Sequence, residues 1–197
     1  MKKITLGCVT LLAVSLSGQA KQNDERHRLG VDFSAASASY RGSSLDGDGV
    51  GQAYLYYNYQ VMPKLTFELG YTNGADLDDW HCKDDNDRQF TCNQNNKSLF
   101  GLGADELEYA NVTFAAKSYY PVTENSYLYG KLGLTYFGYK FFRDGNKLGH
   151  DNGIGYVLEA GWQYDWNNGM AVNAGYRHQD MQDLDISGFT LGVSYRF

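Results

Sequence analysis

The sequence predicts an all-β fold, an eight-stranded antiparallel up-and-down transmembrane β-barrel with short periplasmic turns and long extracellular loops. Three observations predict it. Apolar residues recur with a period of two along most of the chain. The connections between the alternating segments are short and long in turn. The polar face of each segment carries small residues and a few isolated charges, where a water-facing sheet would carry abundant Lys and Glu. Composition agrees: the 197 residues include 17 Tyr, 10 Phe, 3 Trp and 23 Gly but only 2 Pro, unlike an ordinary helical or α/β domain. The length fits one domain.

The first element is a leader. Met1-Lys2-Lys3 is a basic start, Ile4 to Leu16 is mostly apolar or small, and Gly18-Gln19-Ala20 offers small residues for cleavage. Residues 1–20 are therefore expected to be a secretory signal peptide, too short to be a membrane anchor, and residues 21–197 the barrel. Cys8 is expected to leave with the leader.

Strands are expected at about 28–40, 50–61, 65–73, 106–119, 126–141, 152–165, 170–179 and 186–197. Leu65, Phe67, Leu69 and Tyr71 alternate with Thr66, Glu68 and Gly70. Val112, Phe114 and Ala116 alternate with Asn111, Thr113, Ala115 and Lys117. Leu158, Ala160, Trp162, Tyr164 and Trp166 share a face opposite Glu159, Gly161, Gln163 and Asp165. Phe189, Leu191, Val193, Tyr195 and Phe197 oppose Gly188, Thr190, Gly192, Ser194 and Arg196. Met62 to Lys64, Pro121 to Asn125 and Asn167 to Gly169 read as short turns; 41–49, 74–105, 142–151 and 180–185 read as longer polar loops. Trp162, Tyr164 and Trp166 at the turn end, and Tyr136, Phe141 and Phe142 at the loop end, match the aromatic belts of two membrane interfaces. The competing reading is a soluble, lipocalin-like barrel with its apolar face inward.

The loops carry most of the formal charge, which is −6 overall. Segment 74–105 holds seven Asp (76, 78, 79, 84, 85, 87 and 105) against Lys83, Arg88 and Lys97. Asp180, Asp183 and Asp185 follow near the end. Such loops suit a basic partner or plain solvation. Cys82 and Cys92 are expected to form a disulfide in this exported chain, worth roughly 3 kcal/mol in the chain-entropy model. With only His81 beside them they do not make a zinc set. Asp46-Gly47-Asp48-Gly49 lacks the remaining ligands of a calcium loop and reads as a turn. Trp80, Phe90 and Phe100 are candidate contacts for a host or phage ligand.

The chain stops on Thr190-Leu-Gly192-Val-Ser-Tyr195-Arg-Phe197. Thr190, Gly192, Tyr195 and the terminal Phe197 resemble the C-terminal signal read by the barrel assembly machinery. Together with the strand–turn–strand run Tyr59 to Tyr71 and the stretch Ala116 to Thr123, this end makes roughly residues 27–197 similar to the transmembrane domain of the OmpA family. The resemblance implies an eight-stranded barrel in outer-membrane lipid, with both termini periplasmic, and an ionic network inside it. Glu68 and Lys117 fall at matching positions and Lys131 matches an interior Arg. Asn173 and Gln163 depart from the family's charged partners, while Glu159 and Arg177 lie on the same inner faces. Glu68 is expected to pair with Lys117 or Lys131, since a charge in so narrow a lumen must be paired or hydrated. The peptidoglycan-binding domain of longer members is not expected here.

The functional expectation is a non-catalytic envelope role, structural, with loops available for adhesion or recognition. No catalytic, cofactor-binding or metal site is expected: there is no Gly-x-Ser-x-Gly elbow, and the nearest constellation is His178 with Asp180 and Ser187. A barrel lipid-modifying enzyme is the weaker alternative, and a small-ion pore through the narrow lumen the stronger one. Nucleic acid is not an expected partner of so acidic a chain.

Overall fold

The computed structural model describes residues 25–41, 49–77, 80–85, 89–94 and 99–197, the backbone alone between 80 and 94. Eight strands close the barrel: β1 (His27–Tyr40), β2 (Gly49–Met62), β3 (Leu65–Asp76), β6 (Glu106–Pro121), β7 (Ser126–Arg143), β8 (Asn146–Asp165), β9 (Met170–Met181) and β10 (Leu184–Arg196). A separate hairpin, β4 (Trp80–Asp85) and β5 (Gln89–Gln94), stands within the longest connection. The order around the barrel is β1-β10-β9-β8-β7-β6-β3-β2, all antiparallel. Closure follows from β1 pairing with β10 over thirteen positions, Arg28↔Arg196 to Tyr40↔Leu184, which leaves the barrel without a free edge in its wall.

The faces decide between the two sequence readings. Phe33, Leu134 and Phe189 are 63%, 65% and 74% exposed, whereas Glu68 and Arg177 are 1% exposed. The apolar face points outward and the polar face inward, the arrangement of a lipid-embedded barrel. Tyr59, Tyr120, Trp162, Trp166, Tyr195 and Phe197 are exposed at the turn end, and Tyr71, Tyr136 and Tyr156 toward the loop end.

Inside, tyrosines lie on glycines. A Cβ on Gly70 would sit 2.1 Å from the Tyr54 hydroxyl, and one on Gly74 would sit 2.2 Å from the Tyr109 ring. Each missing side chain is the space that a neighbouring strand's ring fills. The high Tyr and Gly contents thus have one packing cause.

Two expected long loops are tight turns. β7 and β8 continue pairing up to Arg143↔Asn146, so the expected 142–151 loop shrinks to Asp144-Gly145. β9 and β10 pair up to Leu184↔Met181, so the 180–185 loop shrinks to Gln182-Asp183. Asp144 and Gln182 take positive φ (50° and 64°), beside Gly145 at 74° in the first turn, the backbone a two-residue hairpin needs. The 74–105 connection contains the β4–β5 hairpin rather than irregular loop alone. The leader and the Asp46-Gly47-Asp48 turn lie outside the described residues.

Above the lumen, the loop end holds an apolar core. Val50, Leu107, Tyr109, Phe137, Tyr139, Phe141, Met181, Leu184 and Ile186 are buried together, with Leu99, Phe100 and Ala104 from the long connection. That connection folds back as a tight turn: the Leu99 N–H donates to the Ala104 carbonyl at 2.7 Å, and the Leu102 N–H to the Leu99 carbonyl at 2.9 Å. Phe100 has φ 52°, costly for a bulky residue. Its ring is held against Tyr40 and Phe141, with centroids at 5.9 and 6.0 Å. Two expectations are corrected here. Phe141 faces this core, not the outer belt, and Phe100 is 4% exposed, so it is not a surface contact. The side chains of Trp80 and Phe90 lie outside the described residues.

Candidate functional site

The lumen collects the charges that strand alternation aims inward. Glu68 comes from β3, Lys117 from β6, Lys131 from β7, Glu159 from β8, Arg177 from β9 and Asp32 from β1. Register sets them side by side: Lys131 is directly opposite Glu159, and Glu159 directly opposite Arg177. Lys131 Nζ donates to Glu68 Oε1 at 2.8 Å and lies 2.6 Å from Glu159 Oε2. Arg177 Nε donates to the same Glu159 oxygen at 2.6 Å, and its Nη2 to Asp32 Oδ2 at 2.9 Å. Tyr54 donates to Glu68 at 2.5 Å and Tyr129 to Glu159 at 2.7 Å. The result is one chain of alternating charge, Glu68–Lys131–Glu159–Arg177–Asp32, with every member buried. Excellent geometry and added hydroxyl donors are what allow such a network in a dry interior.

Lys117 stands apart. Its ammonium lies 3.9 Å from the Tyr129 ring centroid and 5.3 Å from that of Tyr119, and it donates to Gln163 Oε1 at 3.3 Å. Glu68 therefore bonds Lys131, and Lys117 is held by aromatic faces. The two departures from the family pattern are both used: Asn173 donates to Asp32 Oδ1 at 3.0 Å, and Gln163 donates to Asp165 Oδ1 at 2.7 Å. Asp165 also takes a charged bond from Arg28 at 2.6 Å near the turn end.

Asp32 and Arg28 are lumen charges that sequence reasoning missed; Asp165, already read on the polar face of its strand, joins them. Their signal was present: each alternates with exposed apolar or aromatic neighbours, Asp32 with Phe33 and Arg28 with Leu29.

The remaining predicted residues fall as follows. Cys82 lies directly opposite Cys92 in the β4–β5 ladder; their side chains lie outside the described residues. Thr190 is buried inside β10, Gly192 packs against Asp32, and Tyr195 and Phe197 are exposed at the turn end. His178 Nδ1 is 2.7 Å from Ser187 Oγ on the outer wall, but Asp180 accepts the Gln182 N–H instead, so the three do not form a relay. Among the described residues, no cluster of three or more His, Cys, Asp or Glu could hold a metal.

A closed eight-stranded barrel with an apolar exterior, aromatic belts and a neutralised polar lumen has a counterpart among known families. A family model described as "Outer membrane protein beta-barrel domain" matches residues 6–197. The chain belongs to that family. Outer membrane protein A of Yersinia pseudotuberculosis serotype I (strain IP32953) is 26% identical over 216 residues, covering 100% of this chain and 56% of the relative; the chain spans about half the length of that relative. Among solved structures, Neisserial surface protein A superposes with a TM-score of 0.64 at 16% identity, covering 87% of this chain and 97% of that one. Ail, the attachment invasion locus protein of Yersinia pestis, gives 0.55 at 17% identity with the same coverage. OprG from Pseudomonas aeruginosa gives 0.53 at 15%, covering 86% and 95%. These structural likenesses are of fold. The family match makes the chain an outer-membrane β-barrel protein.

Proposed function

We propose that this protein is a non-catalytic envelope barrel whose wall anchors extracellular recognition elements. The observation that carries the reading is the filled interior. The lumen charges pair with one another and an apolar core lies above them, which supports a wall that serves as a scaffold. What it holds out is the β7–β8 hairpin and the β4–β5 hairpin. One solved Ail structure is a complex with the heparin analogue sucrose octasulfate. The 74–105 segment of this chain, with seven Asp against three basic residues, favours a basic or uncharged ligand over a polyanion.

In this reading residues 1–20 are the signal peptide, Cys82 and Cys92 are joined, both termini are periplasmic, and Thr190, Gly192, Tyr195 and Phe197 form the assembly signal. The test is deletion of residues 80–93 in cells displaying the protein, with binding to host-cell and phage surfaces measured. Loss of binding with an unchanged heat-dependent gel shift supports the reading; undiminished binding overturns the role of the hairpin.

A second reading, a small-ion pore, draws on the buried polar atoms on the loop side of the ionic chain. Ser34, Thr72, Thr135, Thr190 and Gln179 have side-chain atoms without a protein partner among the described residues, which calls for water there. Conductance of planar bilayers carrying wild-type protein or Glu68→Ala separates the two. A rise with Glu68→Ala alone favours the pore.

A further inference from the structure

At its turn end the lumen opens as a cup below the ionic chain, with a volume of about 90 Å³. Asn58, Thr66 and Gln163 line its inner part, all buried, and Tyr119 and Tyr127 stand on its wall. Against the roughly 150 Å³ that holds a benzene ring, such a cup admits about four or five heavy atoms.

Asn58 marks the cup as a site. It is 1% exposed, and neither its amide nitrogen nor its amide oxygen has a protein partner among the described residues. Alternation aims it inward: Tyr57 and Tyr59 on either side are exposed, and Asn58 lies in register between Arg28 and Glu68. A buried amide with both functions unmet suits an occupant that both donates and accepts.

Charge narrows the choice. Arg26, Arg28 and Arg196 line the cup together with Glu25 and Asp165. Asp165 accepts from Arg28 and Gln163, and Glu25 accepts from Arg196. Arg28 uses two N–H groups on Ser194 and Asp165, and Arg196 one on Glu25, whereas a guanidinium has about five to give. Beyond Gln163 lies Lys117, directly opposite Thr66 and held by ring faces and the Gln163 oxygen rather than by a carboxylate. The cations favour one negative charge in the cup, and the two carboxylates in its lining oppose a second.

We propose that this cup binds a small 2-hydroxy carboxylate, a monoanion with a hydroxyl group beside its carboxylate. The carboxylate accepts from Asn58 Nδ2 and from the arginines, and the hydroxyl donates to Asn58 Oδ1. Tyr119 and Tyr127 cover the carbon atoms. A plain carboxylate leaves Asn58 Oδ1 without a donor. Hydrogen phosphate brings the donor but also a second negative charge, which meets Asp165 and Glu25. The proposal rests on the barrel itself and not on what the loop end recognises.

The test is a titration of the full chain, refolded into detergent micelles, with glycolate, acetate or phosphate at one ionic strength, followed by nitrogen-15 NMR. The Asn58 side-chain amide is the pair of signals missing from Asn58→Leu. That variant breaks no bond to the protein, and the gel shift on heating reports that it has folded. Saturable movement of the Asn58 amide with glycolate, and about tenfold weaker affinity for acetate and for phosphate, supports the site. So does loss of the glycolate preference in Asn58→Leu, read on the Gln163 amide. Arg196→Gln, at the rim, is expected to weaken glycolate and acetate together and keep their ratio, while Gly130→Ala on the outer wall keeps the wild-type affinities. No movement with any of the three anions overturns the proposal and leaves water as the occupant. Equal affinities for glycolate and acetate, a tighter phosphate, or an unchanged glycolate affinity in Arg196→Gln overturns it as well, and these readings stand whether or not Asn58→Leu folds.

Discussion

Glu159 accepts from Lys131, Arg177 and Tyr129 at once, which makes it the residue on which the lumen turns. Glu159→Gln keeps the shape and removes the charge. Lys131 then keeps Glu68 and Arg177 keeps Asp32, so what is lost is the charged bond that each makes to Glu159, about 1–3 kcal/mol. Equilibrium urea unfolding in lipid vesicles reads this as a lower midpoint. Lys131→Met, by contrast, strands the buried Glu68 without an ion-pair partner, so its loss is the larger, about 3–5 kcal/mol. The tyrosine beds give a second prediction at the same scale. Gly70→Ala puts a methyl group 2.1 Å from the Tyr54 hydroxyl, and that hydroxyl also holds Glu68. Ring and carboxylate must both move, at about 1–3 kcal/mol. Gly130→Ala, with nothing within 4 Å of the new Cβ, leaves the midpoint unchanged and serves as the control.

At the scale of elements, the alternation located all eight wall strands, and it failed where its phase reverses. In β7, Leu132, Leu134 and Tyr136 point outward to lipid, but Phe137, Tyr139 and Phe141 point inward to the loop-end core. Two adjacent aromatics, Tyr136 and Phe137, mark the crossing from membrane to water. Beyond it the polar side chains face out, and a reader tracking one apolar face sees the pattern stop. The same reversal separates Ile186, inward, from Phe189, outward, and turns the end of a hairpin into an apparent loop. The ionic chain was partly legible because Glu68, Lys131, Glu159 and Arg177 share the inner parity. Which cation each carboxylate takes depends on stagger between strands, which a single sequence does not display. The β4–β5 hairpin left a weak signal, since its residues are too polar to alternate. Its register sets Cys82 against Cys92, so we expect one bond between them. Alkylation of the unfolded chain, with Cys8 replaced by Ser, with and without reductant measures it: two added groups only after reduction mark a closed pair, and two in both samples an open one.

The whole molecule places two unlike barriers in series along one axis. The lower is the ionic chain from Glu68 to Asp32, polar and held by charge. The upper is the apolar core of Phe137, Tyr139, Phe141, Met181 and Leu184, roofed by the Leu99–Ala104 turn. An ion that passes the first must still shed its water to pass the second, and desolvation in an apolar constriction is prohibitive. Breaking the ionic chain alone therefore leaves a closed barrel. Glu68→Ala is expected to hold at the bilayer background, as is Phe137→Ala/Phe141→Ala, although the double aromatic change destabilises the fold by at least about 3 kcal/mol. Only the combination opens both barriers, so channel events should emerge in the triple variant and scale with salt. Single-channel recording on these proteins, each first shown folded by its gel shift, decides the matter. Events in Glu68→Ala alone would mean that the apolar core yields to water unaided, and the lumen would then be a gated path rather than a filled support for the elements above it.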